Sequence, residues 1–156
     1  MGIQLKSYGM EIMMKKKYKV GYTTGVFDMF HIGHLNILER AKEQCEYLIV
    51  GVSTDDLVRD YKGKTPIIPF KERCEIVKAI QYVDKVVPQV TMNKMEAWEE
   101  LRFDVLFHGS DWKNSEMYNQ IIEDFKELDV EVVFLPHTQG VSSTLLAEVL
   151  QDMKEK

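Results

Sequence analysis

Residues 47–52, Tyr47-Leu48-Ile49-Val50-Gly51-Val52, form a continuous apolar run. That is the pattern of a parallel strand buried on both faces, and burial on both faces calls for helices above and below it. The preceding residues agree. Residues 18–22 read as a strand with Val20 and Tyr22 on one face. Residues 33–46 are helical in pattern, with Leu35, Leu38, Ala41 and Cys45 on one face and Glu39, Lys42 and Glu43 outside. Strand, helix and strand make a right-handed crossover unit.

The alternation continues. Residues 53–69 are polar and lysine-bearing and read as a loop able to fold over a ligand. Pro69 suits the first turn of a helix, where its missing N–H costs nothing. That helix is expected to run to about Gln81 and to bury Ile76, Val77 and Ile80. Residues 83–87 read as a short strand closed by Pro88. Residues 94–101 are helical, with Met95, Trp98 and Leu101 together. Residues 105–107 form a fourth strand ending at His108-Gly109. Ser115 can cap a helix to Leu128, and residues 130–135 form a fifth strand stopped by Pro136. Ser142 or Ser143 can cap a last helix to about Met153. The expected fold is an α/β three-layer sandwich on a mostly parallel five-stranded Rossmann-like sheet. It forms one domain, residues 18–156, behind an extension, residues 1–17.

The 156 residues suffice for one core. A net charge of -5 argues against broad nucleic-acid binding, which uses a basic face. Cys45 and Cys74 lack metal spacing and read as two inert thiols in a reducing, cytoplasmic setting. No apolar run approaches a membrane span. Lys15-Lys16-Lys17 reads as a solvated lead-in, and Met13 or Met14 can mark an alternative start.

Ligands of open parallel sheets bind beyond the C-terminal strand ends. Four polar clusters fall at such ends: residues 25–34, 53–64, 108–112 and 137–144. In the first, Gly33 permits close approach and the helix starting there offers free N–H groups to an anion. His31 and His34, three positions apart, can donate to the same phosphate, or both can be satisfied by backbone. Zinc has no further ligand at suitable spacing. Lys62 and Lys64 are either ammonium groups that close on phosphates or solvated lysines. Arg73 starts a helix where a cation is unfavourable, so it calls for a phosphate partner or a local carboxylate: Asp55, Asp56 or Glu75. Asp111 can accept from a base amine and Trp112 offers a flat ring; a turn former and a core residue explain them as well. In His137-Thr138-Gln139-Gly140-Val141-Ser142-Ser143-Thr144, hydroxyls and free N–H groups at a helix start can cradle phosphate, and N-capping accounts for one serine only.

Gly25-Val26-Phe27-Asp28-Met29-Phe30-His31-Ile32-Gly33-His34 resembles the signature of the cytidylyltransferase family of the nucleotidylyltransferase superfamily. Tyr82-Val83-Asp84 and Gly140-Val141-Ser142-Ser143-Thr144 also look like family motifs, and the resemblance runs from about Lys19 to Leu150. It implies attack by a substrate phosphate on the α-phosphorus of CTP, release of pyrophosphate and no covalent enzyme intermediate. Positioning and charge stabilisation carry such chemistry. The resemblance makes His31, His34 and Lys64 catalytic. It gives nucleotide binding to Gly25, Val26, Phe27, Gly33, Asp111, Trp112, His137, Thr138, Gly140, Ser142, Ser143 and Thr144. It gives the acceptor to Lys62 and Lys94, and the charge of Arg73 at its helix start places that residue with them. No protein-held metal is implied, Mg²⁺ is expected to bridge the phosphates, and small stand-alone members work as homodimers. The implied acceptor is a small phosphorylated polyol, glycerol 3-phosphate first. Val26 stands where such members often carry Thr, Gln81 and His137 where they carry Arg, and Gln139 where Glu is common. An imidazole cannot replace the guanidinium fork. Members that build ADP-heptose, FAD or CDP-ethanolamine share the core signature, so the acceptor stays open at this point.

Overall fold

The computed structural model describes residues 16–140 and 142–155; the expected extension falls largely on residues 1–15, outside the described residues. Five strands form one sheet: β1 (Tyr18–Gly25), β2 (Cys45–Ser53), β3 (Lys85–Gln89), β4 (Val105–Gly109) and β5 (Glu131–Leu135). Every pairing is parallel, in the order β3-β2-β1-β4-β5. The helices are α1 (Ile32–Gln44), α2 (Asp55–Lys62), α3 (Phe70–Lys78), α4 (Lys94–Leu101), α5 (Glu116–Lys126) and α6 (Ser143–Glu155). The expected α/β three-layer fold is the one observed.

The sheet separates two cores. Leu38 and Ala41 of α1 and Val77 of α3 pack with Leu48, Val50 and Phe107 on one face. Phe125 and Tyr118 of α5, with Met95 and Trp98 of α4, pack with Tyr22, Ile49 and Leu106 on the other. β2 is buried on both sides because its side chains alternate between these cores. The chain builds β1, β2 and β3 outward in one direction, then crosses back to place β4 on the other side of β1. The strand order thus reverses between β1 and β4, and a ligand crevice opens where it does.

Several boundaries differ from expectation. Residues 53–69 are not all loop. Thr54 accepts the Leu57 N–H at 3.2 Å as an N-cap, Leu57 and Val58 are buried, and Gly63 at φ 73 closes the helix α2. Two buried apolar residues are too few to show a helical period, which hid this helix in the sequence. Cys45 begins β2 instead of closing α1. Pro69 is the N-cap of α3, one position before the first turn; Val77 is buried, but Ile76 is 42% exposed. Pro88 lies inside β3, paired with Val52, as an edge strand tolerates. Helix α4 begins at Lys94 as expected, capped by Asn93, and Ser115 caps α5. Both thiols are free, and burial raises that of Cys45 to about 11.

Candidate active site

A cleft of about 590 Å³ opens at the C-terminal ends of the strands, over the β1–β4 reversal. Its floor begins at Thr24 and Gly25. A Cβ on Gly25 would stand 2.9 Å from the Phe27 ring, which folds back beneath the loop. Phe27 and Met29 have left-handed backbones at φ 55 and φ 47, each a local cost that surrounding packing must hold in place. Burial of the Phe27 ring against His34, 5.4 Å between centroids, supplies part of that support. Phe27 therefore lines the cleft and is also a core residue.

The two histidines divide their nitrogens between architecture and the cleft. His31 is the N-cap of α1: its Nδ1 accepts the Gly33 N–H at 3.1 Å. The Nδ1 of His34 reaches back to accept the His31 N–H at 3.2 Å, closing a capping box built from imidazoles. With both Nδ1 atoms accepting, the neutral rings carry their protons on Nε2. The rings stack at 3.9 Å. Burial first, then the neighbouring His31, pulls His34 down to about 3; burial first, then His137, lowers His31. Both therefore offer neutral Nε2–H donors. The serine hydroxyl of Ser143 donates to the Asp28 carbonyl at 2.6 Å, which leaves its lone pair for His34 Nε2 at 3.4 Å. The backbone-satisfied and phosphate-donating readings of this pair are compatible, one nitrogen serving each. Gly33 is required here, since a Cβ would lie 2.9 Å from the His31 ring.

Lys62 and Lys64 line the opposite wall. Lys62 ends α2 and Lys64 follows the left-handed Gly63, so neither rests on a shapeless loop. Partial burial first, and the Lys64 ammonium second, lower the Lys62 pKa, while Asp28 opposes them. Asp28 also anchors this wall: its carboxylate oxygens accept the N–H groups of Ile67 at 2.8 Å and Ile68 at 2.9 Å. At the third wall α6 begins, with Ser142, Ser143 and Thr144 on the cleft and Leu145 N–H donating to Ser142 Oγ. Its N-terminus and that of α1 thus converge on one volume, a strong setting for an anion. Thr138 accepts from Asn36 of α1 at 3.0 Å, and His137 Nδ1 lies 3.4 Å from Asp111 Oδ1. Trp112, in a 3₁₀ turn, lines the cleft and packs on the second core, meeting both of its readings.

Three expected residues are not on the cleft wall. Gly140 supplies a left-handed turn at φ 80 before α6. Lys94 lies beneath the floor, 4% exposed, donating to Thr24 Oγ1 at 2.8 Å. Arg73 is a correction to the acceptor set: it is fully buried, and its guanidinium is spent on the Ile68, Val26 and Ser53 carbonyls and on Asp55, the local carboxylate option. Conversely, Thr24, His108 and the anchoring carboxylate of Asp28 belong to the site and escaped the sequence reading. Asp28 and His108 stood inside motifs, but nothing in the spacing told which atoms faced the cleft. Among the described residues no group of three His, Cys, Asp or Glu side chains is placed to hold a metal, and no helix is long and apolar enough to cross a membrane.

Residues 22–149 match the model of the family described as Cytidylyltransferase-like. The chain is 35% identical over 133 residues to glycerol-3-phosphate cytidylyltransferase of Bacillus subtilis, covering 81% of this chain and 92% of that protein. Against FAD synthase of Thermococcus sibiricus the identity is 32%, over 91% of this chain and 97% of the relative. It is 34% identical to the bifunctional protein HldE of Helicobacter hepaticus over 89% of this chain, which spans 28% of that longer protein. Among solved structures it resembles a lipopolysaccharide core biosynthesis protein of Thermoplasma volcanium, with a TM-score of 0.65 and 26% identity, over 78% of this chain and 97% of that one.

Proposed function

The chain belongs to the cytidylyltransferase-like family and is a nucleotidyltransferase, and from that premise we propose that it transfers CMP from CTP to a small phosphorylated polyol, glycerol 3-phosphate first, releasing pyrophosphate. The observation that carries this reading is the convergence of two helix N-termini, two Nε2–H imidazoles and two lysines on one cleft. A phosphate oxygen of the acceptor forms a bond to the α-phosphorus of CTP as the bond to the β-phosphate oxygen breaks. The nucleophile is already anionic, so no residue need remove a proton. The chain's task is to hold two repelling anions together and to receive the charge that gathers on the transferring and departing groups.

His31 and His34 donate from Nε2 to the α-phosphate and leaving group, and Lys64 and the N-terminus of α6 hold the triphosphate. Lys62 faces the acceptor phosphate, whose charge its neighbour Lys64 also draws in. Asp111, Trp112, His137 and Thr138 line the nucleoside end, with Val26 and Gly25 below. The carboxylates on the cleft suit a magnesium ion that travels on the triphosphate: Asp28 has both oxygens engaged, and Asp111 and Glu148 remain. Such an ion would neutralise phosphate charge when bound. The homodimer expected from the resemblance has a suitable surface on α6, where Leu145, Leu146, Val149, Leu150 and Met153 are exposed. Sedimentation equilibrium is expected to give twice the monomer mass.

HldE and FAD synthase among the relatives make a different nucleotide or acceptor the competing reading. A panel of CTP and ATP against glycerol 3-phosphate, a phosphorylated sugar, phosphoethanolamine and FMN, followed by pyrophosphate release, separates them. CTP with glycerol 3-phosphate is expected to lead, and release with ATP and FMN alone would replace this reading.

A further inference from the structure

Tyr61 does not line the cleft, and the transfer step gives it no task. It stands beside a group that has one. The Lys62 ammonium lies over the Tyr61 ring, 5.7 Å from its centroid, within reach of a cation–π attraction. Successive residues of a helix do not face each other. The contact therefore needs the Lys62 stem to turn back over the ring in the last turn of α2, before Gly63 leaves the helix at φ 73. Burial raises the Tyr61 phenol above its usual range, and the Ser53 hydroxyl and Arg73 guanidinium near its oxygen pull the other way. Both neighbours are fixed. Ser53 is buried at the end of β2 and donates to Gln89 Oε1 at 2.7 Å, and Arg73 is fully buried on its acceptors. The ring is thus footed on the end of β2 and turns its face to the lysine wall. Among the described residues Lys62 has no carboxylate within ion-pair distance. Of the cation–ring contacts there, this is the one whose cation lines the cleft.

We propose that Tyr61 is a positioning residue for the transfer: its ring face holds the Lys62 ammonium where the acceptor phosphate binds. This deepens the reading above and rests on it. The chemistry favours a ring over a carboxylate at this place. A carboxylate would hold the ammonium, but it would cancel its charge and compete with the incoming phosphate. A ring face attracts through its quadrupole, carries no net charge and leaves donors of the ammonium for the phosphate. The Lys64 ammonium nearby repels Lys62, and the ring counters that push. It also narrows the range of a flexible lysine stem, so less freedom is lost when the phosphate arrives.

The test is steady-state pyrophosphate release with the leading acceptor of the panel above, on the parent, Tyr61→Phe, Tyr61→Leu, Lys62→Met and the double variant Tyr61→Leu, Lys62→Met. Tyr61 is 40% exposed, so its substitutions spare the cores, and thermal midpoints check this. Tyr61→Leu is expected to raise the acceptor KM about three- to fivefold, the size of an exposed cation–π contact, with kcat and the nucleotide KM little changed. Tyr61→Phe keeps the ring face and is expected to stay within about twofold of the parent. Once Lys62→Met has removed the ammonium, Tyr61→Leu is expected to add nothing, since coupled residues do not act additively. An unchanged acceptor KM in Tyr61→Leu, an equal rise with Lys62 absent, or Tyr61→Phe as impaired as Tyr61→Leu overturns this inference alone. Absence of pyrophosphate release by the parent with every acceptor overturns the transfer reading, and this one with it.

Discussion

His34→Ala is expected to lower kcat by about 10²- to 10³-fold, the usual loss when one preorganised donor to a developing oxyanion is removed. The geometry says why the loss should fall on kcat. The His34 ring is wedged between Phe27, Phe30 and His31, and its Nδ1 is tied to the His31 backbone. Its ring therefore stays in place, and its Nε2–H has only a long contact, 3.4 Å to Ser143 Oγ, to trade for a phosphate oxygen. An interaction strengthened only in the transition state lowers kcat and kcat/KM together. The structural share is separable. Losing the bond from the His31 N–H resembles losing a cap, at about 0.5–2 kcal/mol, so the protein should remain folded with a modestly lower denaturation midpoint. Pyrophosphate release and urea unfolding on the same preparation measure both. Turnover within a few-fold of the parent in a folded variant would remove His34 from the chemistry.

How far the sequence carries the reader depends on whether a feature is local. The β2 run, the Lys94 helix start and the Ser115 cap rest on neighbours in the chain, and each appears as expected. The strand-end rule was enough to gather residues 25–28, His31, Gly33, His34, Lys62, Lys64, Asp111, Trp112, His137, Thr138 and residues 142–144 around one cleft. Strand order was not legible, because a parallel crossover leaves no mark of which neighbour it chooses. Helix α2 was missed for want of a period, and Ile76 was placed inside because a single shift of the helical face separates it from Val77. The site residues misjudged are those whose partners are distant. His108 shows its donor only once Gly109 has claimed Nδ1, and the Asp28 carboxylate serves amides thirty-nine and forty positions away. Arg73 looked like a phosphate ligand because a cation at a helix start needs an anion or carbonyls, and which of these it has is a tertiary fact.

Arg73 is the second large effect. Arg73→Met is expected to destabilise the fold by about 3–5 kcal/mol, the range for stripping one partner from a buried ion pair. The side chain is fully buried, with Nη2 on Asp55 Oδ1 at 2.7 Å, Nη1 on the Val26 and Ser53 carbonyls at 2.7 and 2.8 Å, and Nε on Ile68 at 2.8 Å. Methionine fills some of the volume but takes the guanidinium donors from three carbonyls and from Asp55, which is 29% exposed and keeps only the Phe70 N–H. Against a total stability of about 5–15 kcal/mol this is a large share. The damage is also directed. Val26 leads into the strained Phe27–Met29 turn, Ser53 ends β2, and Ile68 belongs to the segment that Asp28 pins beside Lys62 and Lys64. One guanidinium therefore sets the histidine wall against the lysine wall. Arg73→Lys keeps the charge and loses the fork, so it should fold and yet show a raised KM for both substrates, since a single ammonium cannot hold all four acceptors. Urea midpoints with steady-state KM values test both variants. Arg73→Met as stable as the parent, or Arg73→Lys with unchanged KM values, would mean that the two walls keep their places without this side chain.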